Sequence, residues 1–376
     1  MRILIFNWQD IKNPLAGGAE VHLHEVFERI AAMGHEVTLF CSMFPGARSE
    51  ESLNGIKIIR KGGRYLFNLH VPIEYFRRFR KEHYDIVIDD VNKIPFYTPL
   101  FVKEPLLGIN HHLFDKSIFL EVSFPLALYV YLAEQLVKPI YRKIHFIVGS
   151  PSTYKEFADW GFPKDRMTII NYCVNHESYR QTGVPKSETP LIGYFGRLKK
   201  YKSVEHLIQA FNLVRREIPE ARVMIVGEGN NRKALEHLTQ ELGLSDFVEF
   251  KGFVSDEDKV KYLQQMHFVV NTSSKEGWGL TVVEANACGT CVIAANVPGL
   301  RDSVVDGETG LLYEYGNIQQ LAEKIIFLLR NPDVRERLSQ GAIKWAQSFD
   351  WNVAAQRTLE IIKKTIEARK GNPATN

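Results

Sequence analysis

Cysteine is scarce. The four present, Cys41, Cys173, Cys288 and Cys291, are too few for a disulfide framework in a chain of 376 residues. Cys288-Gly-Thr-Cys291 spells Cys-x-x-Cys, but no second pair completes a zinc site, so both thiols are read as core residues. No apolar run reaches the ~18 residues that a membrane-spanning helix needs. The opening Met1-Arg-Ile-Leu-Ile-Phe-Asn reads as a first strand, without the apolar core and cleavage site of a signal peptide. The expected location is therefore the cytoplasm. A strong charge of one sign is also missing. Forty-seven Lys and Arg against 44 Asp and Glu give a formal +3, too small to argue for a nucleic-acid partner. No low-complexity segment and no short internal repeat occurs.

What the chain has in quantity is alternation. Short apolar runs read as strands at Arg2–Trp8, His35–Cys41, Ile56–Lys61, Asp85–Asp90, Pro105–His111, His145–Gly149 and Met167–Tyr172. A second series runs Leu191–Gly196, Arg222–Gly227, Phe247–Gly252, Phe268–Thr272 and Cys291–Ala295. Amphipathic segments such as Val204–Glu217 and Arg232–Leu242 lie between them. Strand–helix alternation predicts parallel sheets covered on both faces, and two series predict two doubly wound α/β domains. The polar, Pro-containing stretch Gln181–Pro190 marks the linker, giving domains 1–180 and 181–351. After Gly310-Leu-Leu-Tyr the pattern is helical, ending in a helix over Asn352–Lys370 and a frayed tail over 371–376.

The densest chemistry lies in Glu276-Gly-Trp-Gly-Leu-Thr-Val-Val-Glu284. The Gly-Trp-Gly turn follows a strand and opens a helix, whose N-terminus leaves free backbone N–H groups beside Glu276. Two carboxylates at such a turn suit a ligand rich in hydroxyls. Upstream stand Gly193-Tyr-Phe-Gly196-Arg197-Leu198, Lys202 and Val223-Met-Ile-Val-Gly227-Glu-Gly229; downstream stands Gly307-Glu-Thr-Gly310. In this order and spacing, the set resembles the nucleotide-sugar half of a retaining glycosyltransferase of family 4, with the GT-B fold. The resemblance extends over nearly the whole chain.

The resemblance implies two Rossmann-like domains facing across a cleft, the N-terminal one completed by helix 352–370. It implies a nucleoside-diphosphate sugar as donor and a hydroxyl acceptor, either a glycan or lipid-linked. Arg197 and Lys202 would neutralise the diphosphate, so no metal or other cofactor is expected. Glu284 would hold the ribose hydroxyls and Glu276 the sugar hydroxyls. The backbone of Gly277, Trp278, Gly279 and Leu280 would contact sugar and phosphate, and Gly252-Phe253-Val254 would border the base. Gly17-Gly18 opens a helix after the first strand, where glycines let the backbone approach a phosphate; the resemblance closes this loop over the donor. It also puts a histidine near the reacting centre at the end of the Pro105 strand. His111 takes that place, with His112 as the alternative.

Between Lys57 and Lys81 there are eight Lys or Arg and one acidic residue. Tyr75-Phe76-Arg-Arg-Phe79-Arg-Lys mixes aromatics with positive charge, and Phe119–Leu136 is apolar with Pro125 inside it. Such segments fit either an anionic membrane surface or a buried helix beside a solvated one. The expected chemistry is retaining transfer of a hexosyl unit. The alternatives are a nucleotide-sugar epimerase of the same fold and a non-catalytic sugar-nucleotide-binding module.

Overall fold

The computed structural model describes residues 1–120 and 122–371. Residues 372–376, within the expected tail, and Glu121, inside the apolar stretch 119–136, lie outside the described residues. The chain forms two compact units, one of Met1–Tyr172 with the helix that starts at Trp351, the other of Cys173–Asp350.

In the first unit the elements run β1 (Arg2–Phe6), α1 (Gly18–Ala32), β2 (Glu36–Cys41), β3 (Glu50–Leu53), β4 (Ile56–Arg60), α2 (Phe67–Arg77), β5 (Ile86–Asp90), β6 (Leu106–Asn110), α3 (Phe124–Gln135), α4 (Val137–Ile140), β7 (His145–Val148), α5 (Pro151–Asp159) and β8 (Met167–Ile169). Their sheet has the order β3-β4-β2-β1-β5-β6-β7-β8. Every pairing is parallel except that of β3 with β4. Near-continuous apolar strands such as Ile3–Phe6 and Ile86–Ile88 are buried, as a sheet covered on both faces requires.

The second unit runs β9 (Leu191–Phe195), α6 (Val204–Glu217), β10 (Arg222–Val226), α7 (Arg232–Glu241), β11 (Val248–Gly252), α8 (Asp256–Gln265), β12 (Phe268–Asn271), α9 (Leu280–Ala287), β13 (Val292–Ala295), α10 (Leu300–Ser303), β14 (Gly310–Tyr313), α11 (Ile318–Arg330) and α12 (Pro332–Gln347). Its six strands are all parallel, in the order β11-β10-β9-β12-β13-β14. The last helix, α13 (Trp351–Gly371), belongs to the first unit and packs against α1 and β6.

One reading needs correction. The chain leaves the first unit at Tyr172/Cys173, not at 180/181, and Gln181–Pro190 is not a free linker. Val174 pairs with Asp350, Thr182 N–H donates to Gln264 at 2.7 Å, and Lys186 Nζ donates to the Met266 carbonyl at 2.6 Å. The polar side chains that suggested a linker are hydrogen-bonding the segment to α8 and its end. Gly310-Leu-Leu-Tyr313, left unassigned in the sequence reading, is an edge strand, β14, and the chain after it is helical as expected. Four residues were too short a run to show a strand period.

Candidate functional site

In an open parallel sheet, ligands gather at the carboxyl ends of the strands where the strand order reverses. In the second unit that point lies between β9 and β12. The loops after these strands are bound to each other. Thr272 hydroxyl donates to the Lys202 carbonyl at 2.8 Å, and Ser274 N–H donates to the Tyr201 carbonyl at 2.8 Å. Across this seam Lys202 Nζ is paired with the Glu276 carboxylate, and Ser273 hydroxyl donates to the same Glu276 oxygen at 2.7 Å. Burial alone would pull the Lys202 ammonium towards neutrality. Glu276, with Tyr201 and Tyr194 behind it, more than offsets that and holds Lys202 charged.

Glycines make the close packing of the neighbouring loops possible. A side chain on Gly227, whose φ is +136°, would place its first carbon 1.9 Å from the Gly196 carbonyl oxygen, and one on Gly229 would lie 2.1 Å from that of Leu198. The loops after β9, β10 and β11 are thereby joined: Leu198 N–H donates to the Glu228 carbonyl at 2.8 Å, and Gly227 N–H to the Gly252 carbonyl at 2.8 Å. Arg197 emerges from this base exposed, with no side-chain ion pair among the described residues. Phe253, just past β11, is 88% exposed, while Val254 packs on the core.

Gly279 adopts φ +86° at the start of α9. Glu276 N–H donates to the Pro298 carbonyl at 3.1 Å, which fixes the turn against the loop after β13. Trp278 is buried, its ring 5.1 Å from that of Phe349, so only its backbone remains to meet a ligand. Glu284, within α9, is largely buried and pairs with Lys259 of α8 at 2.7 Å. Asp256-Glu257-Asp258, an Asp-x-Asp sequence, forms the first turn of α8, where the Ser255 hydroxyl accepts the Asp258 N–H at 3.1 Å; it caps a helix. Cys288 and Cys291 are buried, and burial pushes their thiols up to about 12 and about 11.

The remaining candidates sit in the first unit. Gly17-Gly18 opens α1, and Glu20 reaches back to accept the Gly17 N–H at 2.7 Å. His111 is buried beyond the end of β6. Its Nε2 lies 3.0 Å from Asp90 Oδ1, and its Nδ1 is hydrogen-bonded to the Tyr172 hydroxyl. Both ring nitrogens of His111 are thus engaged inside the unit, which fixes the orientation of the ring. His112 is only partly buried, with its ring 4.9 Å from that of Phe114. His22, its ring 5.4 Å from that of His111 and 4.7 Å from that of Tyr172, is kept neutral by burial and then by His111.

Sequence reasoning missed Ser273, Tyr201, Asp90, Tyr172 and Lys259. Ser273 could have been suspected from its place three residues before Glu276. Lys259 carries no such signal, since it reads as one of several lysines on a solvated helix.

Residues 16–178 match the model described as Glycosyltransferase Family 4, and residues 175–345 match that described as Glycosyl transferases group 1. A D-inositol 3-phosphate glycosyltransferase of Thermobispora bispora is 30% identical over 223 residues, 54% of this chain and 52% of that protein. The chain thus spans about half the length of the curated relatives it matches. Among solved structures, sucrose-phosphate synthase from Thermosynechococcus elongatus aligns over 98% of this chain and 99% of its own, with TM-score 0.82 and 23% identity. The Anabaena protein HepE, in complex with UDP and glucose, aligns over 97% and 100%, with TM-score 0.77 and 19% identity. With two family models matching in succession, two α/β units and neighbours of the same architecture along the full chain, the protein belongs to the family-4-like glycosyltransferases of the GT-B fold.

Proposed function

We propose that the protein transfers a hexosyl unit from a nucleoside-diphosphate sugar to a hydroxyl acceptor, with retention at the anomeric carbon and without a metal. The observation that carries this reading is the convergence of Lys202, Ser273 and Glu276 at the strand-order reversal of the second unit, with exposed Arg197 on the same loop as Lys202 after β9. Arg197 and Lys202 stabilise the departing diphosphate, Arg197 as a planar fork and Lys202 as a point charge. The N-terminus of α9 adds backbone donors. Glu276 orients the sugar and Glu284 the ribose. The leaving phosphate takes the acceptor proton on the face it departs from, so the protein contributes charge stabilisation and positioning. In the first unit, His111 is the histidine assigned to the reacting centre, with His112 as the alternative, and Asp90 and Tyr172 hold the His111 ring. The acceptor is a glycan or a lipid-linked hydroxyl; for the latter, the exposed apolar stripe of α2 meets an anionic membrane.

The test is a panel of nucleotide sugars assayed with and without hydroxyl acceptors and excess chelator, with the anomeric configuration of the product read by NMR. Arg197→Ala and Lys202→Ala should each lower turnover by about 2–4 kcal/mol, in the range of a deleted oxyanion donor. Exposed Arg197→Ala should leave the melting temperature unchanged, whereas Lys202→Ala should lower it by leaving Glu276 unpaired. Inversion, chelator sensitivity or near-normal turnover in the double variant would each refute the corresponding part.

A further inference from the structure

Lys259 lies on the helix before β12, and nothing in the motif pattern points to it. Its side chain is 20% exposed and that of Glu284 is 9% exposed, and Nζ sits 2.7 Å from Glu284 Oε2. The ammonium also lies 5.1 Å from the centre of the Tyr179 ring, which comes from the segment entering the second unit. Three separate pieces of chain therefore converge on this cation: α8, α9 and the segment carrying Tyr179. Among the described residues Glu284 Oε1 accepts no hydrogen bond. A carboxylate this buried is costly without a partner charge. The partner also decides which oxygen is left over.

We propose that Lys259 is a positioning residue for nucleotide recognition: it occupies Oε2 of Glu284 and turns Oε1 outward as the single acceptor for a ribose hydroxyl. This deepens, and rests on, the reading of Glu284 as the ribose group. The ligand class it selects is a ribonucleoside diphosphate over its deoxy counterpart. Tyr179 keeps the ammonium from swinging away when the ligand leaves, so the acceptor is oriented before binding.

The experiment measures Kd by calorimetry for ADP, CDP, GDP and UDP, and then for the 3′-deoxy form of whichever binds wild type most tightly. Wild type should favour the ribo form by about tenfold, the contribution of one hydrogen bond to a charged group. Lys259→Met should bring that ratio close to one, as Glu284→Gln does, while hardly changing affinity for the deoxy form. Lys259→Arg should keep most of the preference. A Lys259→Met protein that keeps the wild-type ratio, or that loses both forms equally, overturns the positioning role. Should Lys259→Met fail to fold, Lys259→Leu carries the same comparison. Failure of the underlying reading looks different: wild type binds none of the four or shows no ribo preference, or Glu284→Gln leaves the ratio intact.

Discussion

Three aspartates at the strand ends of the first unit meet three different kinds of partner. Asp10 is gripped by fully buried Arg60, with Nε 2.6 Å from Oδ2 and Nη2 2.9 Å from Oδ1. Burial pushes its carboxyl up, but Arg60 and the Lys12 N–H bring it below the ordinary range. Asp90 faces His111. Among the described residues Asp89 has no cation: Oδ2 accepts from Thr98 and Tyr141 hydroxyls at 2.6 Å each, and Oδ1 is buried without a partner. Burial raises Asp89 to about 6, the hydroxyls oppose this, and Asp90 adds to it. With the folded-state value above the unfolded 3.8, native Asp89 binds its proton more tightly than the unfolded chain does. Its charge therefore costs stability above about pH 6, roughly 3 kcal/mol by pH 8, and the cost is relieved as pH falls from 6 towards 3.8. Asp10 has the opposite sign, but its contribution is lost only below the ordinary carboxylate range. Asp89→Asn should raise the melting temperature at pH 8 and do much less at pH 5. Calorimetry of both proteins across that range is the check, since other groups titrate alike in each; parallel curves would contradict the assignment.

At the scale of elements, α2 carries the clearest unpartnered face. Leu66, Leu69, Ile73 and Phe76 are exposed at helical spacing, while Phe67, Val71 and Tyr75 are buried on the other side. Exposed Arg64, Arg77, Arg80 and Lys81 flank the stripe. The basic–aromatic segment read from sequence needs trimming here. Tyr75 and Phe79 are core residues, and Arg78 is tied to Glu50 at 2.6 Å and Glu82 at 2.8 Å. On α3, Phe124, Leu128 and Leu132 are likewise exposed. If α2 meets an anionic membrane, the protein should sediment with anionic but not neutral vesicles, less so as salt screens the charges. Arg77, Arg80 and Lys81 to Ser, or Leu69 and Ile73 to Ser, should release it without changing donor affinity. Absence of sedimentation at low salt would return the stripe to an ordinary solvated surface. The sequence showed that this segment mixes aromatics with charge, but not that two of its aromatics, Tyr75 and Phe79, turn into the core while Phe76 turns out. The same limit explains what was legible elsewhere. Strands buried on both faces announce themselves as apolar runs, and the paired glutamates sit in a glycine turn that few other purposes require. Short β3 and β14, and Lys259, whose partner lies 25 residues further along, left no local pattern to read.

At the scale of the molecule, the two units differ in how they are made from the chain. The second is continuous, from Cys173 to Asp350, whereas the first is closed by α13. That helix seats on α1: Trp351 lies 5.7 Å from the His22 ring, and Arg29 Nε donates to Asn352 Oδ1 at 3.1 Å. Its buried side includes Ala354, Ala355, Leu359, Ile362 and Ile366. A chain cut after Asp350 should keep a cooperative unfolding transition for the second unit and lose or greatly weaken that of the first. Calorimetry with limited proteolysis measures this, and an undisturbed first unit would show α13 to be dispensable. The arrangement also sets an order in time. During synthesis, residues 173–350 leave the ribosome with every strand of their sheet, while the first 172 residues, although made earlier, must wait for 351–371 to cover α1. The half of the protein born first is the half finished last, and until then the uncovered side of α1 is the surface a chaperone would have to guard.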